Sequence, residues 1–189
     1  MATAQSTTQT RLAAVAAAWS PAAAPPAVWS PAAAALLILT AGAVSLAAKQ
    51  PWLVASVGAT AFLQAQSPED ESSRMYNAVV GHAIALVAAY LAVALVGAAG
   101  LPSTLSTKAT LPAARVWASA LAMVLTLVGQ RQARAFHAPA GATALLVTLG
   151  VYRPTSKTAL ALMATVLLVS GAGEALRRLR TRDRRWHPF

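Results

Sequence analysis

Hydrophobic positions along this chain gather into six stretches that contain no Asp, Glu, Lys or Arg. Short polar pieces, which hold nearly all the charge and most of the proline, separate the stretches. A transmembrane helix needs about 20 apolar residues to cross a hydrocarbon core of roughly 30 Å. The third stretch meets that length, whereas the others run 14 to 17 residues and must borrow flanking turns or stop partway. The six stretches are Ala32–Ala48, Trp52–Ala65, Val79–Leu101, Val116–Gly129, Ala138–Val151 and Thr158–Gly173.

A six-residue motif occurs twice at an offset of 83 residues: Gly58–Leu63 reads GATAFL, and Gly141–Leu146 reads GATALL. The same offset lays the first stretch on the fourth and overlaps the third with the sixth. Duplicated membrane folds show this kind of internal similarity. We therefore predict an all-α polytopic transmembrane bundle with two repeats of three segments. The short second and fifth segments should lie near each other, and they either cross the membrane or re-enter it.

The pattern divides the chain into three regions. Residues 1–30 form an Ala- and Pro-rich arm with no acid and a single Arg11, and we expect this arm to be flexible. Its prolines disfavour a helix before Pro31, which suits a first helical position. Residues 31–176 form the transmembrane domain, and residues 177–189 form a basic tail.

Composition excludes an ordinary soluble domain, because 57% of the residues are hydrophobic and only 11% are charged. The net charge of +10 would suit a nucleic-acid partner, but six of the fifteen Lys and Arg residues lie in the last thirteen positions, just after a hydrophobic segment. Such a cluster is typical of a cytoplasmic end that faces anionic lipid. We therefore expect membrane lipids, and no nucleic acid, as partners.

The distribution of basic residues also bears on topology. If all six segments cross, ten basic residues share the side of both termini and five lie opposite. If the second and fifth segments re-enter instead, the split is nine to six. The positive-inside rule thus favours six crossings with both termini inside.

The sequence offers no recognisable catalytic or metal centre. It has no cysteine, which excludes disulfides, thiolate metal sites and cysteine nucleophiles. The five acids lie in a loop, at a helix end and in the tail, so no nucleophile has a base beside it. No cluster of His and acid residues has the spacing of metal ligands. We expect neither an enzyme nor a cofactor.

A candidate anion site precedes the fifth segment. Pro139 at the start of a short helix leaves backbone N–H groups facing the preceding loop, and a helix N-terminus carries a positive partial charge. Arg131, Arg134 and a protonated His137 would add charge beside it, so this region is a candidate for binding a small inorganic anion. The alternative interpretation is that the two arginines anchor the chain at the inside surface and that His137 caps the turn.

Polar and small residues inside the apolar segments are further candidates, because polar groups at membrane depth are costly. Gly58 and Gly141 allow helices to approach closely, and Thr60 and Thr143 either bond across a helix interface or line a pore. His82, in the third segment, either bonds to a neighbouring helix or relays protons.

The run His137–Leu145 (HAPAGATAL) resembles the His-Pro-Pro-Ala-Gly-Ala-Thr signature of the HPP family of integral membrane proteins, with alanine in place of the first proline. Ser67–His82 and Ser56–Ala61 also resemble that family, and the similarity covers roughly Trp29–Ala175. Members in plastids and cyanobacteria are implicated in nitrite transport. The resemblance implies a multi-pass protein of a bacterial plasma membrane or a chloroplast envelope, and it implies a transporter or channel for a small, nitrite-like anion.

A second class of function stays open. The chain would then be a non-transporting membrane scaffold or sensor whose basic tail recruits lipid or partners. A polar-lined cavity converging on residues 134–143 would favour transport, and a tightly packed interior would favour the scaffold. Both classes are compatible with a homo-oligomer.

Overall fold

Six α-helices make up most of the part of the chain that the computed structural model describes, which is residues 24–47, 49, 53–104 and 110–184. They occur in the order of the six apolar stretches, and these residues contain no strand, which confirms an all-α fold. A 3₁₀ turn, Glu71–Ser73, lies between the second and third helices. The helices are α1 (Pro26–Ala47), α2 (Ala55–Gln66), α3 (Met75–Val96), α4 (Ala113–Gln132), α5 (Pro139–Thr148) and α6 (Ser156–Arg184).

Four of these helices, α1, α3, α4 and α6, are long and apolar enough to cross a membrane. The short helices α2 and α5 have 12 and 10 residues. At a rise of 1.5 Å per residue, they are about 18 and 15 Å long, roughly half of the hydrocarbon core. Large hydrophobic side chains such as Leu39, Leu46 and Leu160 are exposed on the outside of the bundle, as lipid-facing side chains are. The chain is therefore an integral, multi-pass membrane protein.

Alanine fills much of the interior. On α3, which contacts α4, α5 and α6, the buried side chains include Ala85, Ala89 and Ala92. Small residues let helix backbones approach closely, and this close packing drives the association of helices in lipid. The central position of α3 follows from this alanine surface.

Contacts between distant segments define one end of the bundle. Trp29 in the first turn of α1 packs with Ala65 near the end of α2, and the Arg180 guanidinium of α6 lies 4.9 Å from the centroid of the Trp29 ring. In the loop after α4, His137 Nδ1 lies 2.7 Å from Ser72 O in the loop after α2. The start of α1, the loops after α2 and α4, and the last turns of α6 therefore share one end, which we call the basic end.

The loops after α3 and α5 meet at the opposite end, which we call the cavity end. The Tyr90 hydroxyl of α3 donates to Thr155 O, 2.8 Å away, and the backbone N–H of Thr104 donates to Leu149 O, 3.1 Å away. Helices α3, α4 and α6 thus run between the two ends, and α3 runs in the opposite direction to α4 and α6.

The expected start of the first helix was wrong. We placed it at Pro31, but α1 begins at Pro26, and Pro31 lies inside it. Pro26 takes the first helical position, and the N–H of Trp29 already donates to Pro25 O, so the first turn closes before Pro31 is reached. Pro31 then costs one backbone hydrogen bond, which a membrane helix tolerates. The boundary after residue 30 therefore falls inside a helix, and the arm of residues 1–23 lies outside the described residues.

The predicted tail boundary at residue 177 also falls inside a helix, because α6 continues to Arg184. Glu174 stabilises this extension, since its carboxylate pairs with Arg177 at 2.7 Å and with Arg178 at 2.8 Å, one helical turn away. Arg180, which lies over Trp29, is buried. The first half of the basic tail is therefore part of the folded domain.

Candidate functional site

Four of the predicted polar residues meet inside the bundle. Thr60 of α2, His82 of α3, Thr143 of α5 and His137 are each at most 1% exposed. Thr60 Oγ1 lies 3.0 Å from the Nε2 atoms of both histidines. His82 Nδ1 lies 2.7 Å from Thr143 Oγ1, and the two imidazole centroids are 5.2 Å apart. We call these four residues the histidine centre.

Two backbone carbonyls complete the bonding of the histidine centre. His137 Nδ1 lies 2.7 Å from Ser72 O, and the Thr60 hydroxyl lies 3.0 Å from Ser56 O, one turn earlier on α2. All four ring nitrogens of His82 and His137 therefore have a partner. Because His82 is seven residues into α3, the centre lies about 10 Å below the start of that helix.

The loop after α4 brings His137 to this depth. The amide of Gln130, in the last turn of α4, accepts from the His137 N–H and donates to the His137 carbonyl, both at 3.2 Å. A Cβ atom on Gly81 would lie 2.8 Å from His137 Cβ and 3.3 Å from Ala135 O, so the loop can approach α3 this closely only at a glycine. Sequence reasoning missed Gln130 and Gly81. The available signal was a glutamine at the end of an otherwise apolar helix.

Burial decides the charge of His137. Removal from water lowers the pKa of His137 below its ordinary value of about 6.5, and its bond to the Ser72 carbonyl offsets only part of that effect. The imidazole is therefore neutral at neutral pH. This result disfavours the protonated His137 that the predicted anion site invoked.

The amino end of α5 offers fewer free donors than we expected. Pro139 occupies the start of the helix, as predicted. The N–H of Ala140 donates to His137 O, and the N–H of Gly141 donates to Ala138 O. These two groups are therefore not free to bind an anion, and anion binding at this position stays a prediction.

Arg134 lies apart from the histidine centre. Its side chain is exposed, as is that of Arg131. Arg134 has a φ of 49°, and the N–H of Ala135 donates to Gln130 O, which is the Schellman arrangement that ends a helix. The backbone of Arg134 thus reverses the chain so that the following loop enters the bundle.

Gly58 and Gly141 lie at helix contacts. A Cβ atom on Gly58 would lie 4.0 Å from Ile38 Cδ1 of α1, and one on Gly141 would lie 3.2 Å from Met123 Cε of α4. Neither glycine borders the histidine centre through these contacts. The geometry fits the packing interpretation of both positions.

A second polar region lies at the cavity end, around Arg115 in the first turn of α4. Arg115 is 3% exposed, and its guanidinium donates to three backbone carbonyls. Nε donates to Pro102 O at 2.8 Å, Nη1 to Thr148 O at 2.7 Å, and Nη2 to Leu101 O. Within the described residues, no carboxylate pairs with this arginine.

A cavity of about 500 Å³ adjoins Arg115. Gly150, Tyr152, Arg153 and Thr155 also line it. Gly150 has a φ of 77°, and a Cβ atom there would overlap the Arg115 guanidinium, so both its conformation and its size require glycine. Sequence reasoning missed this region, because an arginine at the start of an apolar helix is usually interpreted as a side chain that reaches the membrane surface.

Polar side chains follow one face of α4 from the cavity end to the histidine centre. Arg115, Ser119, Thr126 and Gln130 occupy this face, which is about 22 Å long. Ser119 Oγ bonds to Thr148 Oγ1 at 2.8 Å, while Thr126 Oγ1 is buried without a hydrogen-bond partner in the described part of the chain.

A similar line on α2 continues to the basic end. Ser56, Thr60 and Gln64 are spaced four residues apart and are all buried. Gln64 Nε2 donates to Ser73 O at 3.0 Å, whereas Ser56 Oγ and Gln64 Oε1 have no partner among the residues that the structure describes. The two lines together place polar groups along most of the length of the bundle.

Comparison with known protein families gives a match over most of the chain. The family model described as the HPP transmembrane region matches residues 13–186. No curated protein and no solved structure matches the chain.

Proposed function

The chain belongs to the HPP transmembrane family, and from that membership we propose that it transports a small inorganic anion, such as nitrite, across the membrane. The observation that carries the proposal is the buried Arg115 beside the cavity, without a carboxylate partner among the described residues. The resemblance of His137–Leu145 to the HPP signature implies the same class of solute.

The charge of Arg115 supports binding of an anion in the cavity. A guanidinium has five N–H donors, and the three carbonyls occupy three of them. Carbonyl dipoles satisfy the hydrogen bonds but do not neutralise the charge, so an anion in the cavity meets a net positive site that water screens only weakly. The planar donor fork matches the two oxygens of an oxyanion such as nitrite. Exposed Arg153 at the cavity adds a second positive charge.

The helix arrangement supports a transporter built from two repeats. Shifted by 83 residues, α2 would cover residues 138–149, and α5 covers Pro139–Thr148. If α1, α2 and α3 are exchanged with α4, α5 and α6, each packed pair of helices falls on a packed pair. The pair α1·α2 falls on α4·α5, α1·α6 on α3·α4, and α2·α6 on α3·α5. The pairs α2·α5 and α3·α6 fall on themselves. In each half, a residue at positive φ, Lys49 (50°) or Arg134 (49°), stands two positions after the first helix ends. We propose six crossings, in which each short helix completes its crossing with the loop before it.

The polar lines on α4 and α2 suggest the route. In many transporters, interrupted helices meet near the middle of the membrane and form the substrate site between two repeats. Here α2 and α5 pack against each other and each contributes a threonine, Thr60 or Thr143, to the histidine centre. We propose that the anion enters at Arg115 and passes the histidine centre toward the basic end.

Uptake into proteoliposomes tests this function. We expect wild-type liposomes to accumulate nitrite above protein-free liposomes. Arg115→Gln should reduce uptake at least ten-fold, because it removes the charge, and Arg115→Lys should retain an intermediate rate, because it keeps the charge but loses the fork. Arg74→Gln is the matched control, since it removes an exposed arginine at the basic end, away from the cavity, and it should take up nitrite at the wild-type rate.

Arg115 also holds three backbone carbonyls, so its replacement can unfold the chain. A binding measurement on the wild type avoids this difficulty. Nitrite at millimolar concentration should raise the unfolding temperature of the detergent-solubilised wild type, and it should do so less for Arg153→Gln, which leaves the carbonyl bonds of Arg115 intact. Absence of both uptake and stabilisation by nitrite, nitrate or chloride would overturn the proposal.

The close packing of the histidine centre favours one alternative, a non-transporting anion sensor. In that case nitrite would stabilise the wild type through the cavity, but liposomes would not accumulate it. The two measurements together distinguish a sensor from a transporter.

A further inference from the structure

From the geometry of the histidine centre, we propose that Thr143, His82, Thr60 and His137 form a proton relay that carries protons through the middle of the bundle toward the loop at Ser72. Proton transfer by these residues can be measured without any anion. Only its role as the coupling ion of transport rests on the function proposed above.

The Ser72 carbonyl fixes the position of the proton on His137. Its Nδ1 faces Ser72 O, a carbonyl that can only accept, so Nδ1 carries the hydrogen. The neutral ring then has an acceptor at Nε2, which faces the Thr60 hydroxyl.

The single hydrogen of Thr60 decides the state of His82. Three groups lie 3.0 Å from Thr60 Oγ1, namely both Nε2 atoms and the Ser56 carbonyl, and the one hydroxyl hydrogen serves a single acceptor at a time. The Ser56 carbonyl and His137 Nε2 can both only accept, so the hydrogen goes to one of them, and His82 Nε2 must donate to Thr60 in either case. When the hydroxyl turns from Ser56 O to His137 Nε2, the series from His82 to His137 is continuous. Neutral His82 then accepts at Nδ1, so Thr143 donates to it. Every hydrogen in the series points the same way, from Thr143 toward Ser72.

A series of hydrogen bonds with one direction can conduct a proton. A proton that arrives at Thr143 Oγ1 moves the hydroxyl hydrogen onto His82 Nδ1, and His82 becomes an imidazolium. Its Nε2 proton then passes to Thr60 Oγ1 as the Thr60 hydrogen passes to His137 Nε2. His137 finally releases its Nδ1 proton to water when the bond to Ser72 opens. One proton enters and one leaves, and rotation of the hydroxyls and rings restores the starting state.

The groups around the two imidazoles allow only one of them to be protonated at a time. From the packed elements, the groups that face the two rings are the Thr60 and Thr143 hydroxyls of α2 and α5, the Gln130 amide of α4 at the His137 backbone, and the Ser72 carbonyl. None of these titrates near neutral pH, so each histidine meets only the other as a titratable neighbour in the described part of the chain. With ring centroids 5.2 Å apart, two imidazolium charges would repel each other strongly in this buried site.

The groups at the two ends of this series of hydrogen bonds can supply and accept protons. At the basic end, Ser72 adjoins the exposed carboxylates of Glu69, Asp70 and Glu71, which can exchange protons with bulk water. At the other end, Thr143 lies on α5, whose Val147 lines the cavity, so water or a protonated solute in the cavity is the donor class that Thr143 requires.

Proton flux into liposomes that contain a pH-sensitive dye tests the relay. An inside-negative potential set with potassium and valinomycin should drive acidification faster in wild-type liposomes than in protein-free ones. Thr60→Val, which keeps the shape of the side chain but removes the hydroxyl, should slow this flux at least ten-fold, and Thr60→Ser should restore it. Thr165→Val is the matched control, because its hydroxyl is buried outside the series and bonds to Ala161 O of its own helix, and it should leave the flux unchanged.

Two results would overturn the relay: a wild-type flux no greater than that of protein-free liposomes, or a Thr60→Val flux equal to that of the wild type. Nitrogen NMR of ¹⁵N-histidine-labelled protein, assigned with His→Gln variants, gives a readout that does not depend on flux. His137 should be protonated at Nδ1 and His82 at Nε2, and a neutral His82 protonated at Nδ1 would contradict the proposed direction. Proton flux without nitrite uptake would remove the proposed anion transport and leave the relay standing.

Discussion

The 83-residue offset pairs positions in the first half of the bundle, α1–α3, with positions in the second half, α4–α6. At one of these pairs the two residues are the same, and at another they differ. Thr60 and Thr143 are equivalent, and both bond to the same imidazole, that of His82. The position equivalent to His82 in α6 is Thr165, whose hydroxyl donates to Ala161 O of its own helix at 2.9 Å. The two short helices therefore present matched hydroxyls to a histidine that only the first half supplies.

Four buried polar residues of the second half likewise have no polar counterpart in the first. Apolar residues occupy the equivalent positions in the first half: Ala32 for Arg115, Ala43 for Thr126, Ala47 for Gln130 and Val54 for His137. Positions related by the 83-residue offset thus carry different chemistry in the two halves. This difference explains why the cavity lies at one end and the buried loop enters from the other, so that the two sides of the membrane meet different surfaces.

The largest expected effect concerns the glycine that admits the buried loop. Gly81→Ala places a Cβ atom 2.8 Å from His137 Cβ, and both backbone segments must shift. We expect a loss of about 1–3 kcal/mol in the free energy of unfolding, as overpacking usually costs. Thermal or denaturant unfolding in detergent measures it.

The second half provides the controls for this prediction. Its equivalent residue, Ala164 in α6, already carries a Cβ atom. Gly171→Ala on the same helix, where nothing lies within 4 Å of the new atom, should be neutral or stabilising. Equal destabilisation by Gly81→Ala and Gly171→Ala would show that the loop contact is unimportant.

The next effect is a pH dependence of stability, which His137 can produce because its imidazole titrates and which its apolar counterpart Val54 cannot. Because folding lowers the pKa of His137, the unfolded state binds a proton first as the pH falls below about 6.5. The contribution of His137 to stability is therefore complete above pH 6.5 and decreases by up to about 1.4 kcal/mol per pH unit below it.

His137→Gln keeps hydrogen-bonding groups at this position but removes the titration. Between pH 7.5 and 5.5, the variant should lose less stability than the wild type, as judged by unfolding midpoints at matched detergent. Parallel losses in the two proteins would mean that His137 binds protons equally well in both states.

The smallest effect tests a feature that the halves share. Lys49 and Arg134 both have a positive φ, which costs a non-glycine residue about 1–2 kcal/mol. Lys49→Gly and Arg134→Gly should each stabilise the fold by up to about 1 kcal/mol, and the two gains should add, because the positions lie in separate turns. Calorimetry of the single and double variants measures the gains, and destabilisation by Arg134→Gly would show that its side chain is needed for stability.

Local composition was enough to predict the helices. Runs of apolar residues between charged pieces identify six segments and their order, because each helix must match its own length to lipid and bury its own backbone polar groups. The same reasoning failed at the ends of the domain. At Pro31 an internal proline was tolerated, and beyond Glu174 ion pairs and the Trp29 contact extended the helix past the expected boundary.

The tertiary structure decided which polar residues act together. Thr60, His82, His137 and Thr143 each stood out in the sequence, but only folding brings Thr60 within 3.0 Å of His137, 77 residues away. Arg115 gave no sequence signal, because only folding brings to it the carbonyls of the preceding loop and that of Thr148, which ends α5 33 residues away. Helix formation depends on neighbours in the chain, whereas a buried hydrogen-bonded site depends on backbones that approach from several helices at once. That approach is set by glycine and alanine contacts such as the one at Gly81, which a linear pattern of polarity does not contain.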